Sequence, residues 1–113
     1  MTVMLYHNPR CATSRRTLAL LQARGIEPRI IEYLKTPPDA GEIATLLGKL
    51  GLTPHQLLRA KEARAAGIDP ARLDGAALIA AMARNPITIE RPIVVNGAKA
   101  ALGRPPEAAL AIL

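Results

Sequence analysis

The sequence predicts one α/β domain built around a mixed four-stranded sheet with helices packed on it. Three observations lead to this prediction. The beginning of the chain has the pattern strand, helix, strand, and helical periodicity then runs through about residues 39–85. Beyond Pro86 the apolar spacing changes to a period of two, on both sides of the dipeptide Asn96-Gly97. The element order is therefore β-α-β, a helical insertion, and β-β-α within residues 1–113.

The N-terminal segment predicts a β-α-β unit. Its strand, helix and strand are expected at residues 2–6, 14–24 and 29–33. Thr13 or Ser14 is expected to cap the helix, and Gly25 to end it. The helix positions expected to face the core are Leu18, Ala19 and Leu21. A helical crossover joins the two strands, so they should be parallel.

The insertion predicts three helices, each starting after a capping side chain. They are expected at residues 39–50, 54–66 and 75–84. Asp39 and Asp74 are good N-caps, and Thr53 followed by Pro54 is a typical helix start. In the first and third of these helices the apolar positions that should face inward are Ile43, Leu46, Leu47, Leu50, Leu78, Ile79 and Met82, and the second helix carries Leu57, Leu58 and Arg59.

The C-terminal segment predicts a hairpin followed by a short helix. Residues 93–95 should form a strand, with Asn96-Gly97 as a two-residue turn before a return strand at 99–102. The sequence Gly103-Arg-Pro-Pro106 then opens a last helix at 107–112.

Composition excludes several classes of protein. The net charge is +6, but the basic residues are dispersed and two tyrosines offer no stacking surface, so nucleic-acid binding is not expected. No apolar run approaches the ~20 residues of a membrane span, and the N-terminus has no signal-peptide pattern. We therefore expect no membrane association and a cytoplasmic location.

Cys11 is the only cysteine, and it lies where an apolar strand gives way to a helix. A lone cysteine is most often a buried, inert side chain. At a helix N-terminus, however, free N–H groups and the helix dipole favour the reactive thiolate, and Arg10, Arg15 and Arg16 would add positive charge. A single cysteine also excludes an internal disulfide and a multi-cysteine metal site, and it suits a reducing compartment.

Four short segments of the chain, taken together and in their order, form a specific pattern. They are Tyr6-His-Asn-Pro-Arg-Cys-Ala-Thr-Ser-Arg15, Leu57-Leu-Arg59, Arg91-Pro-Ile-Val-Val95 and Gly103-Arg-Pro-Pro-Glu107. With these segments the chain resembles the glutaredoxin-dependent arsenate reductase family from about residue 3 to 112. The resemblance implies a thioredoxin-like fold and a relationship to Spx-type regulators.

The resemblance also implies a role for each matching residue. Cys11 matches the catalytic cysteine, and His7 and Ser14 match positions that tune the thiol pKa or orient its loop. Pro92 matches a cis-proline beside the cysteine. The arginines implied to surround the oxyanion are Arg59, Arg91 and Arg104. Guanidinium groups suit this role because they bind tetrahedral oxyanions bidentately and stay charged.

The implied reaction is reduction of arsenate to arsenite through a covalent adduct on Cys11. No second cysteine is present to resolve the adduct, so an external thiol is needed. The resemblance implies glutathione as co-substrate and glutaredoxin as partner, with no bound cofactor and no metal. We expect a monomer. Two alternatives stay open at this point: an Spx-type regulator that binds RNA polymerase, and a glutathione-linked thiol reductase without arsenate activity.

Overall fold

A computed structural model describes residues 2–113 of the chain. The structure comprises two compact units, one formed by the chain up to Thr36 together with Arg91–Leu113, the other by Pro37–Glu90. The second unit corresponds to the predicted helical insertion, with somewhat wider bounds. The assignment of the whole chain to one domain stays a prediction.

The first unit holds the sheet. Its elements are β1 (Val3–His7), α1 (Ala12–Ala23), β2 (Arg29–Glu32), β3 (Ile93–Asn96), β4 (Lys99–Leu102) and a 3₁₀ helix (Pro106–Ile112). The strand order is β2-β1-β3-β4, with β1 and β2 parallel and the other pairs antiparallel. The predicted mixed four-stranded sheet and its parallel pair are confirmed.

The core of this unit lies between the sheet, α1 and the C-terminal 3₁₀ helix. Val3, Leu5 and Val94 from the strands pack with Leu21 and Ala109. Such aliphatic residues supply the hydrophobic free energy that holds α1, and therefore its first turn, against the carboxyl end of β1.

Helix α1 departs from the prediction at its start and along its buried face. It begins at Ala12 with Cys11 as N-cap residue, so the predicted caps Thr13 and Ser14 are wrong. Ala19 is exposed, whereas Ser14 and Thr17 are fully buried. Burial of these hydroxyls is tolerated because each one is hydrogen bonded.

The second unit is helical. Its helices are α2 (Ala40–Leu50), α3 (Pro54–Leu57), α4 (Ala60–Ala65) and α5 (Gly75–Arg84), with 3₁₀ turns at Pro70–Arg72 and Pro86–Thr88. The predicted caps are confirmed: Asp39 accepts the N–H of Glu42 and Asp74 accepts that of Ala77, both at 2.8 Å. Thr53 and Gln56 form a reciprocal capping box at the start of α3.

The predicted helix at 54–66 is wrong in its middle, where the chain is extended. Leu58 forms an antiparallel bridge with Ile89. The N–H of Arg59 donates to the Thr88 carbonyl at 2.7 Å, and the N–H of Glu90 donates to the Leu57 carbonyl at 2.9 Å. These bonds satisfy backbone groups that a continuous helix would use internally, so tertiary pairing overrides helix propensity.

The C-terminal segment also differs in detail from the prediction. The hairpin turn consists of Gly97 and Ala98, because Asn96 pairs with Lys99 at the end of the ladder. Gly97 has a φ of 63°, which explains the glycine there. The last helix is a 3₁₀ helix rather than an α-helix, with the N–H of Ala108 donating to the Pro105 carbonyl three residues earlier.

Candidate active site

The loop between β1 and α1 places Cys11 at the first turn of the helix. Asn8 shapes this loop: its carbonyl accepts the Cys11 N–H at 3.0 Å and its Oδ1 accepts the Arg10 N–H at 3.0 Å. Cys11 is extended (φ −92°, ψ 122°), and its carbonyl accepts the Arg15 N–H. The thiol therefore sits over the free N–H groups of the helix and is partly accessible.

The pKa of the Cys11 thiol is lowered from its ordinary value. Partial burial opposes ionisation and is the largest single influence. The backbone N–H of Ser14, the Arg91 guanidinium and the backbone N–H of Thr13 together outweigh it, and they do so by hydrogen bonding and by charge. The surroundings of the thiol therefore favour thiolate, the nucleophilic form.

Two of the predicted arginines lie at this thiol, and both belong to the same unit as Cys11. Arg91 hydrogen bonds to the Cys11 side chain. Arg104 places its Nη2 at 3.6 Å from Cys11 Sγ, and its Nε donates to the Arg91 carbonyl at 2.7 Å. Sulfur, two guanidinium groups and backbone N–H groups thus face one small region, which suits a bound oxyanion.

His7 and Ser14 form a buried hydrogen-bonded pair beneath the loop. Ser14 Oγ lies 2.6 Å from His7 Nδ1 and accepts the N–H of Asn8 at 3.1 Å. The Ser14 hydroxyl is thus engaged by the loop, and it is the backbone N–H of Ser14 that contacts the thiol. The Ser14 hydroxyl is therefore not the helix cap that the sequence predicted.

The protonated, positively charged form of His7 is also disfavoured. Burial lowers the pKa of His7; Glu32 opposes that shift and Arg15 adds to it. A neutral imidazole hydrogen bonded to Ser14 orients the loop but adds no positive charge at neutral pH. Support of the loop, rather than electrostatic support of the thiolate, is the role that this environment favours.

Arg59 lies in the second unit, between α3 and α4, where two carboxylates hold it. Its Nη1 is 2.6 Å from Glu90 Oε1, and its Nε is 3.1 Å from Glu62 Oε2. Burial alone would lower the pKa of this guanidinium, but the two carboxylates outweigh burial and raise it. Arg59 is thus a fixed, permanently charged group within its own unit.

Pro92 follows a cis peptide bond, the geometry expected at that position, and a second cis bond precedes Pro105. The Pro92 carbonyl accepts the N–H of Gly103 at 2.9 Å. This bond ties the start of β3 to the end of β4. It therefore holds together the two segments that carry Arg91 and Arg104.

Among residues 2–113, no three His, Cys, Asp or Glu side chains are grouped closely enough to hold a metal ion. Within the same range, none of the helices has the length and apolar character needed to cross a membrane.

Comparison with known proteins places this arrangement in a family. The profile of the ArsC family matches residues 6–112, which is nearly the whole chain. The chain belongs to the ArsC family. The resemblance inferred from the four sequence segments is thereby confirmed.

Individual relatives match this ArsC-family chain over nearly their full lengths. The solved structure of an arsenate reductase from Vibrio cholerae has 46% identity and a TM-score of 0.95, covering 100% of this chain and 98% of that one. An arsenate reductase of Neisseria meningitidis is 43% identical over 98% of this chain and 97% of its own. The uncharacterised Escherichia coli protein YfgD is 46% identical, with coverages of 98% and 96%.

The sequence analysis assigned no role to three residues that hydrogen bond with the segments around the thiol: Asn8, Thr17 and Gly103. The Asn8-Pro9 dipeptide is a turn signal that points to the loop. A threonine inside a helix and a glycine after a strand carry no comparable signal, because their importance depends on what the fold packs against them.

The lowered thiol pKa predicts alkylation of Cys11 at unusually low pH. Because Cys11 is the only thiol, iodoacetamide reports on this site alone. We expect the alkylation rate to rise with pH through a midpoint below the ordinary pKa of a cysteine thiol. In Arg91→Ala the midpoint should move upward, since a group that favours thiolate is lost. Equal midpoints in the two proteins would contradict the influence assigned to Arg91.

Proposed function

We propose that this chain is an arsenate reductase that works through a covalent intermediate on Cys11. The carrying observation is the thiol of lowered pKa with Arg91 and Arg104 beside it. Membership of the ArsC family and relatives named arsenate reductase support the same activity. Catalysis by a nucleophilic thiolate at an anion-binding helix start is the chemistry that these residues suit.

Arg91, Arg104 and the first N–H groups of α1 bind the oxyanion in this proposal. Arsenate is a tetrahedral, mostly dianionic ion at neutral pH, and guanidinium groups offer it paired donors that never lose their charge. The Arg104 side chain is exposed, while its Nε is held by the Arg91 carbonyl. Its Nη2 lies 3.6 Å from Cys11 Sγ, close enough to contact an ion that binds at the sulfur.

Arg59 is proposed as the third oxyanion-binding arginine, on the basis of the family resemblance of Leu57-Leu-Arg59. The contacts with Glu62 and Glu90 support a guanidinium whose orientation is fixed in advance, which lowers the entropic cost of binding an ion.

The proposed reaction has two stages, formation of an arsenic adduct on Cys11 and its reduction by external thiols. The Cys11 thiolate attacks arsenic, a sulfur–arsenic bond forms, and one arsenate oxygen leaves as water after protonation. Two thiol groups supplied from outside then deliver two electrons. Arsenic(V) becomes arsenic(III), the two thiols become a disulfide, and Cys11 is released as thiolate with arsenite as product.

The external thiols are proposed to be glutathione, with glutaredoxin as the partner protein that completes each catalytic cycle. A single cysteine supports this part of the proposal, because the chain cannot form an internal disulfide to resolve the adduct. Dependence on glutathione fits a reducing cytoplasm. In this proposal the chain acts as a monomer and needs no bound cofactor.

The deciding experiment is an assay of NADPH oxidation coupled through glutathione reductase, glutathione and glutaredoxin. We expect oxidation that depends on arsenate and on this protein, with arsenite as the product. Omission of glutaredoxin should slow it strongly. Turnover of a glutathione mixed disulfide without any arsenate reduction would refute the proposal in favour of a general thiol reductase. Capture of the RNA polymerase α subunit without turnover would favour a regulator.

A further inference from the structure

We infer that Thr17 is a positioning residue that aligns the cysteine loop with the loop carrying Arg104. Thr17 is fully buried on α1, six residues after Cys11. The inference rests on the proposed function, since it concerns how the oxyanion site is assembled. It adds a residue whose hydroxyl neighbours are backbone carbonyls, those of Thr13 and Gly103.

The Thr17 hydroxyl lies between two backbone carbonyls. Its Oγ1 is 2.9 Å from the carbonyl oxygen of Thr13 and 3.4 Å from that of Gly103. Thr13 supplies one of the N–H groups that lower the thiol pKa, and Gly103 directly precedes Arg104. The single hydroxyl proton is directed to the nearer carbonyl, that of Thr13, and the Gly103 carbonyl is a longer contact. The Thr17 side chain therefore packs the helix start that carries the nucleophile against the segment that carries an arginine.

Gly103 is packed tightly between Thr17 and Pro92. A Cβ atom at this position would lie 2.5 Å from Thr17 Oγ1 and 2.8 Å from Pro92 Cγ. Positive φ angles occur at other glycines but not here, so lack of space explains the residue. Gly103 directly precedes Arg104 and Pro92 directly follows Arg91, so in this inference the packing of Gly103 against Thr17 and Pro92 sets the spacing of the two arginine segments from α1.

Many helices contain a threonine that bonds to the carbonyl four residues earlier, and this bond alone has no functional meaning. Thr45 on α2 provides the matched case, with its Oγ1 at 3.1 Å from the Gly41 carbonyl on an exposed face. What distinguishes Thr17 is its second carbonyl neighbour and the glycine pressed against it. Thr45→Val is therefore the control for Thr17→Val.

The test measures how well arsenate protects Cys11 from alkylation, alongside turnover. In Thr17→Val, which keeps the shape but removes the hydroxyl, we expect the half-protecting arsenate concentration and the KM to rise about fivefold. The kcat should change less. Thr17→Ser should restore most of the affinity, and Thr45→Val should match the natural protein. Unchanged protection in Thr17→Val, with only lower stability, would overturn the inference.

A second set of variants tests the packing against Gly103. Gly103→Ala should weaken protection more than Thr17→Val, because the added methyl group must displace the Arg104 segment. In the double variant with Gly103→Ala and Thr17→Ala, two of the three closest contacts of the added methyl group disappear. The double variant should therefore lose less arsenate protection than the sum of the losses in the two single variants. Losses of protection that simply add in the double variant would contradict the contact between Thr17 and position 103.

Failure of the inference and failure of the proposed function give different results. Protection that weakens in Thr17→Val without turnover in the natural protein would refute arsenate reduction while supporting the alignment. Turnover in both proteins with equal KM values would refute the alignment while leaving arsenate reduction intact. An absence of protection in the natural protein would refute both.

Discussion

Replacement of Cys11 by serine is expected to abolish arsenate reduction while leaving the fold intact. Serine is nearly isosteric, and it is itself a favoured N-cap residue, so helix α1 should keep its start at this position. A hydroxyl is a far weaker nucleophile than a thiolate at neutral pH, and no other cysteine can take its place. We expect turnover to fall by at least about 10³-fold, because a missing nucleophile removes a covalent pathway altogether.

Measurement of this effect requires the coupled assay and a check of folding by circular dichroism and urea denaturation. The natural protein and Cys11→Ser should unfold at similar urea concentrations. Arsenate binding should persist in the variant, since the guanidinium groups and helix N–H groups remain. Residual turnover above one tenth of the natural rate would contradict the assignment of Cys11 as nucleophile.

Arg91→Ala is expected to have the next largest effect, reducing kcat/KM by about 10²-fold or more. The substitution removes a hydrogen bond to the thiol and a positive charge beside it, so both thiolate formation and oxyanion binding suffer. The carbonyl that orients Arg104 is a backbone group and remains in the variant. The loss should therefore be carried by the guanidinium itself.

The matched control is Arg64→Ala, which removes the same charge from an exposed position on α4. This variant should retain nearly full activity. Arg59→Ala should resemble Arg91→Ala if the proposed third arginine binds the ion. Arg91→Lys should recover only part of the loss, since an ammonium keeps the charge but lacks the fork that matches an oxyanion. Equal losses in Arg64→Ala and Arg91→Ala would show that only diffuse charge matters.

Local rules predicted much of the fold because they depend on neighbours in sequence. Asp39 and Asp74 cap their helices as expected, since a carboxylate three residues before a free N–H reaches it without help from the rest of the protein. The parallel pairing of β1 with β2 followed from the short helical crossover between them. The hairpin was expected from Asn96-Gly97, although the turn itself lies one residue later.

Predictions failed where a distant segment competed with a local preference. The sequence after Pro54 favours one helix, yet Leu58 pairs with Ile89 and the helix is interrupted there. Ser14 looked like a helix cap, but its hydroxyl is engaged by His7 and Asn8. In both cases a hydrogen-bond partner supplied by the fold satisfies the group better than the local alternative does.

The chemistry available to this protein can be read from its amino acids alone. It supplies one thiol, arginines that stay charged at all relevant pH values, and the strand-to-helix boundary that places Cys11 over free N–H groups. Which arginines lie beside the sulfur depends on the folding of the chain. Arg104 is 93 positions from Cys11, and the contact of Thr17 with Gly103 spans 86. Such separations are closed by sheet pairing and core packing, which no local pattern encodes.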